Sequence, residues 1–234
     1  MTTPVLYQLP PVFSLLSLSP FCAKVQLGLR LKQIPYEVKN TLFADKVNPR
    51  GKLPYLVWGD RKLEDSTAIL EAIDAEGSGP KLIPSDPKLA AEADLLEDWA
   101  DESLYWQGVY AKFAEEAQWK KLLPEFRAQF PAMLRPVGPL VARRQTLAKL
   151  AAQGLTRRAP ALVRREFSRH LDSLEVRLDG RQWLVGDAIS IADVAVTAML
   201  WQLLPQYAPW HAAEVAARRR LTALIASVRT AANA

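Results

Sequence analysis

Apolar and polar positions change their period once along this chain. Residues 4–9 (PVLYQL) form a short apolar run that predicts a buried strand. In the stretch after Ser19-Pro20-Phe21, Val25, Gly28, Leu29 and Lys32 fit one side of a helix, with small and apolar positions together. PYEVKN (35–40) predicts a second strand, and KLPYLVWGDRKLED (52–65) predicts strand, tight turn at Gly59-Asp60, and strand. STAILEAIDAEG opens on a Ser/Thr cap, spaces Ile69, Leu70 and Ile73 for a helix, and stops at Gly77. The order is β-α-β followed by β-β-α.

From 77 to 87 the chain is rich in Gly, Pro and Ser and predicts a linker. Beyond it the period is helical throughout. One long helix is expected over 88–120, carrying Leu95, Trp99, Trp106, Tyr110 and Phe113, with others over 160–178, 190–204 and 212–229. Pro124, Pro131, Pro136 and Pro139 predict that 122–140 is irregular or short-helical. Two domains follow: residues 1–79 as α/β, and residues 88–234 as all-α, with 80–87 between them.

Half of the 234 residues are apolar and 24% are charged, as in ordinary globular chains. No run approaches the roughly 18 apolar residues of a membrane-spanning helix. The single cysteine, Cys22, excludes an internal disulfide and a thiolate-rich metal site. With no signal peptide evident, a reducing, cytoplasmic setting is expected. The net charge of +5 is concentrated late, since residues 136–234 hold 14 Lys/Arg against 7 Asp/Glu. No nucleic-acid motif accompanies the arginine doublets, so they are expected on solvated helix faces rather than on RNA or DNA. His170 and His211 lack partners at ligand spacing, and no metal site is expected.

Three short stretches carry candidate chemistry. In NPRGKLPYL (48–56), Pro54 lacks an N–H and needs an edge or turn position. A cis bond there would present the Leu53 backbone to a peptide-like ligand, whereas a trans bond would simply open a strand. In EDSTAIL (64–70), Asp65 and Ser66 sit at a helix start, where free N–H groups attract a carboxylate and Asp65 could accept from an ammonium. In AISIADVAV (188–196), Ser190 and Asp193 are spaced as a capping box and Ile189 and Val194 as a hydrophobic staple, which makes this a folding element.

Taken in order, SPFCAKVQLGLRLKQIPYEV, NPRGKLPYLVWGD, LEDSTAIL and WLVGDAISIADVAVTAML resemble the glutathione S-transferase superfamily. The resemblance implies a thioredoxin-like N-terminal α/β domain and an all-α C-terminal domain, the glutathione-transferase fold. DST in place of Glu-Ser, together with ESLYWQGVYAKF and RRQTLAKLAAQGL, resembles the metaxin-like, failed-axon-connection-like branch.

By that resemblance, Leu53 before Pro54 pairs with the cysteinyl part of glutathione, Asp65 and Ser66 hold its γ-glutamyl end, and Lys52 meets its glycyl carboxylate. A family member is commonly a homodimer. Its task is to hold glutathione's sulfur as a thiolate that attacks a hydrophobic electrophile. Ser19 occupies the place of the catalytic serine of plant-type classes, Ser17 is the fallback, and Tyr7 ranks third. Cys22 is expected to be a small buried apolar residue. Of the aromatic stripe, Tyr105, Trp106 and Tyr110 are expected to face the electrophile. The alternative is a non-catalytic glutathione-binding or protein-interaction module of metaxin-like type.

Overall fold

The computed structural model describes residues 2–234. Four strands, β1 (Val5–Gln8), β2 (Glu37–Asn40), β3 (Tyr55–Trp58) and β4 (Arg61–Glu64), form one sheet in the order β2-β1-β3-β4. β1 and β2 are parallel, joined by the crossover helix α1 (Pro20–Leu31), and β3 and β4 form an antiparallel hairpin with Trp58 opposite Arg61. Helix α2 (Ser66–Glu76) packs beside α1. Gly28 lets the two helices approach at that crossing: a Cβ there would lie 2.1 Å from Leu70 Cδ2 and force that side chain to shift.

The remaining chain is helical: α3 (Pro87–Trp99), a π-helical turn (Ala100–Leu104), α4 (Tyr105–Phe113), α5 (Glu116–Ala128), α6 (Gly138–Gln153), α7 (Pro160–Arg177), α8 (Ile191–Trp201), α9 (Pro209–Ala216) and α10 (Arg219–Ala231). α8 is buried along its whole first ten residues and packs against α1, α3 and α10, so one apolar core runs through both halves. None of the described helices is long and apolar enough to cross a membrane.

The capping box is present. Asp193 accepts from the backbone N–H of Ser190 and of Leu184, each at 2.8 Å, and from the Ser190 hydroxyl at 2.7 Å.

Several expected boundaries move. The long helix over 88–120 is three pieces, broken by the π turn and by residues 114–115. The expected break at Pro124 does not occur. That residue lies inside α5 on an exposed side, where the carbonyl it leaves without an N–H can face water, while buried Trp119, Leu122 and Phe126 hold the opposite side. Pro139 starts α6 rather than ending a segment. Several of the late arginines are ion-paired, among them Arg158 with Glu166, Arg164 with Glu115, and Arg218 with Asp172 and Glu214. Arg218 also interrupts the helix expected over 212–229, separating α9 from α10.

Candidate functional site

Ser19 caps α1. Its extended backbone turns the chain off the end of β1 into Pro20, and its Oγ accepts the Cys22 N–H at 3.4 Å. Among the described residues its own proton has no oxygen or nitrogen acceptor, and the Cys22 thiol lies within its reach. Ser17, two residues earlier, is fully buried; its hydroxyl donates to the Leu9 carbonyl at 2.8 Å and accepts the Ser19 N–H at 3.1 Å. The two serines thus differ in kind. One fixes the loop and the other is presented by it.

Ser19 lies where two hollows meet. The larger, about 670 Å³, is walled by apolar side chains such as Leu18, Val109, Phe113, Phe126, Phe130 and Val141, with Tyr105 and Lys112 on the α4 side. The second, about 520 Å³, holds Lys52 and Leu53 together with Phe21, Asp101, Glu102, Tyr105 and Trp106. Lys149 of α6 borders both. A third hollow continues from Asp101 and Glu102 to Asp65, Thr67, Asp94, Glu97 and Asp98. The three form one cleft with an apolar end, a mixed middle and an acidic end.

The Leu53–Pro54 peptide is cis, Pro54 is buried, and Leu53 borders the middle hollow. Asp65 holds a positive φ of 72° and caps α2 by accepting from Thr67 N at 2.9 Å and Ala68 N at 3.4 Å. Ser66 opens that helix but is buried, its hydroxyl 3.5 Å from Asp101 Oδ2.

Beneath the acidic end, fully buried Lys24 of α1 is paired with both Glu97 and Asp101, and Thr67 donates to Glu97 at 2.6 Å. One ammonium therefore serves two carboxylates. Burial, with Glu97 beside it, raises the Asp101 carboxyl to about 7, and Asp101 Oδ1 has no partner among the described residues.

Of the expected aromatic residues, Tyr105 borders both the apolar and the middle hollow, and Trp106 borders the middle one only. Tyr110 borders neither. Five residues after Tyr105 a helix has turned about 140° past a full circle, which puts Tyr110 into the core near Glu115 and Arg164. The seventh residue returns to the Tyr105 side, and there the chain has Lys112.

Sequence reasoning missed Lys112. It is buried, donates to Gln202 Oε1 at 2.9 Å and to the Leu18 carbonyl at 3.4 Å, and burial lowers its pKa to about 7. Gln202 in turn donates to the Ser17 carbonyl at 3.0 Å, so the helical half grips the serine loop at two carbonyls. Lys24 and Asp101 were missed as well, because their partners are 73 and 77 residues apart in sequence. A signal for Lys112 existed: a lone lysine at i+7 on an otherwise apolar helix side.

Tyr7 packs against Tyr55 beneath Lys39 and borders none of these hollows. Cys22 is fully buried, and burial pushes its thiol up.

The glutathione S-transferase N-terminal domain family matches residues 16–81, and the glutathione S-transferase C-terminal domain family matches residues 140–227. The chain belongs to the glutathione S-transferase superfamily. Within it, the chain is 28% identical over 210 residues to the isoprene-epoxide glutathione S-transferase of Rhodococcus sp. (strain AD45), covering 87% of this chain and 88% of that one. It is 33% identical over 94 residues to glutathione S-transferase U2 of Arabidopsis thaliana, covering 37% of this chain and 42% of that one. A glutathione S-transferase from Methylobacillus flagellatus, solved with glutathione bound, superposes with a TM-score of 0.63 at 19% identity, covering 99% and 98% of the two chains. These relatives are ordinary glutathione S-transferases, and the metaxin-like branch suggested by the softer motifs finds no support among them.

Proposed function

We propose that this superfamily member conjugates the thiolate of glutathione to a hydrophobic electrophile, with the Ser19 hydroxyl donating to the sulfur. Glutathione is the substrate the family and its glutathione-bound relative support. The observation that carries the serine assignment is the contrast at the loop: the Ser17 proton is engaged by Leu9, whereas Ser19 has a proton to give at the junction of the hollows.

A free thiol near pKa 8.5 is mostly protonated at neutral pH, and lowering it by about 2 units takes roughly 2.7 kcal/mol. One or two charge-assisted hydrogen bonds are of that size, and the N-terminus of α1 adds its dipole in the same direction. In this reading the cysteinyl part lies along Leu53, the glycyl carboxylate meets Lys52 and Lys149, and the γ-glutamyl ammonium meets the acidic end at Asp65. The apolar hollow takes the electrophile, and Tyr105 forms the wall shared with the sulfur. An epoxide is one such electrophile, the class named for the Rhodococcus relative. A reducing, cytoplasmic setting supplies reduced glutathione and keeps Cys22 a free thiol.

The test is glutathione conjugation of chlorodinitrobenzene by wild type, Ser19→Ala and Cys22→Ala. Removing one anion-stabilising donor is expected to lower kcat about 10²-fold in Ser19→Ala, with Cys22→Ala near wild type. Loss confined to Cys22→Ala would overturn the serine assignment. Retention on a glutathione matrix without turnover in any form would favour the non-catalytic module.

A further inference from the structure

We propose that Lys112 is the proton donor to the ring oxygen of an epoxide opened by the glutathione sulfur in the apolar hollow. This rests on the conjugation reading above and adds to it a residue and its role. A lysine ammonium has three N–H donors. The protein supplies acceptors for two, Leu18 O and Gln202 Oε1, and none for the third among the described residues. No carboxylate is paired with it either, in contrast to buried Lys24 and Lys32, which each have one or more. Lys112 is buried, yet borders the hollow in which an electrophile would lie, two helical turns from Tyr105 and hydrogen-bonded to the loop that carries Ser19. A cation with an unanswered donor in an apolar cavity recognises an oxygen that is gaining negative charge.

The step balances without a further reactant. The sulfur forms a bond to one ring carbon, the carbon–oxygen bond breaks, and its electron pair goes to oxygen. That oxygen takes a proton from Lys112 Nζ. The amine left neutral is reprotonated by the proton that the next glutathione thiol gives up on ionising. Burial, the sole cause of its lowered pKa, brings the amine to about 7, where a proton donor works well at neutral pH. Around it, α8 contributes neutral Gln202 and the serine loop contributes the Leu18 carbonyl. The other titratable groups on the cavity wall are Tyr105 on α4, Asp45 on the turn after β2, and Lys149 on α6.

Styrene oxide and benzyl chloride test this as a matched pair, because chloride leaves without needing a proton. In Lys112→Met, kcat/KM for styrene oxide is expected to fall about 10²-fold further than kcat/KM for benzyl chloride, whose smaller loss reports the released grip on the Leu18 carbonyl. The wild type supplies a readout independent of the variant: the styrene oxide profile should descend above about pH 7 while the benzyl chloride profile keeps rising. Equal loss on both substrates would make Lys112 a structural clamp only and sink the proposal, as would equal retention or superimposable pH profiles. If wild type conjugates benzyl chloride but not styrene oxide, the conjugation reading stands and this inference falls. If it conjugates neither, both fall.

Discussion

The Ser17 hydroxyl accepts the backbone N–H of Ser19 at 3.1 Å, so the buried serine holds the half-buried end of the loop in place. It also donates to the Leu9 carbonyl at 2.8 Å, tying the loop to the end of β1. Ser17→Ala removes both bonds inside the core and leaves two backbone groups short of a partner. A cost of about 2 kcal/mol is expected, which for a chain of this size lowers Tm by about 4–8 °C. Turnover should fall less than in Ser19→Ala, and the pKa of enzyme-bound glutathione should stay at its wild-type value. A thiol pKa that rises in Ser17→Ala and not in Ser19→Ala would reverse the two roles.

Lys24 should be far more costly to remove than its position on a helix suggests. It is fully buried against Glu97 and Asp101, and Lys24→Met would leave two carboxylates in the core without their cation. Breaking a buried pair in this way costs about 3–5 kcal/mol. Asp101 already lies at about 7, above its unfolded value, and losing the ammonium that lowers it raises it further. Folding then holds extra protons between the two values, and stability falls as pH rises through that window. Denaturant midpoints should therefore show a larger deficit against wild type at pH 8 than at pH 5.5. An equal deficit at both would mean that lost packing, not stranded charge, dominates.

Local chemistry made much of this fold legible before any coordinates. The sequence of elements β-α-β then β-β-α, the place of Gly28 among the small and apolar positions of α1, and the cap of α8 all follow from neighbours in sequence. Ser19 was reached through the family resemblance of its motif, and its cap on α1 came only with the structure. What stayed hidden depends on distant pairs. Lys24 and Asp101 meet only after α1 packs against α3 and the π turn, and Lys112 meets Leu18 across 94 residues. Tyr110 was misplaced for a related reason: an aromatic stripe gives the period of a helix but not which side the cavity lies on. The helix breaks at 114–115 and at Arg218 were hidden as well: Arg143 donates to the Phe113 carbonyl and Arg164 to Glu115 at the first, and Arg218 itself donates to the Ser168 carbonyl of α7 at the second.

Asp193 is the strongest single anchor of α8. Its carboxyl takes three hydrogen bonds, two from the backbone of Leu184 and Ser190 and one from the Ser190 hydroxyl, and it is fully buried. Asp193→Ala would leave those donors buried and unanswered. A loss of about 3 kcal/mol is expected, or about 6–12 °C in Tm. Asp193 borders none of the three hollows, so the folded fraction should retain its affinity for glutathione. A change in affinity at equal folded fraction would show that α8 positions the site more directly than through folding.

Lys112 carries a stability cost that should be measurable apart from any activity. Its pKa is about 10.5 in the unfolded chain and about 7 in the fold, so between those values the unfolded state binds more protons. Stability therefore rises with pH across that window, and below about pH 7 the full cost of burying an ammonium is present. Lys112→Met, with similar length and no charge, removes the cost together with the bonds to Leu18 and Gln202. Relative to wild type, the variant should be favoured by several kcal/mol more at pH 6.5 than at pH 9.5. Urea midpoints at the two pH values decide it. A constant offset would mean that the amine is already neutral, or already solvated, at the lower pH. A shrinking one would show an amine kept in the core at the expense of stability, as expected when a site rather than the fold requires it.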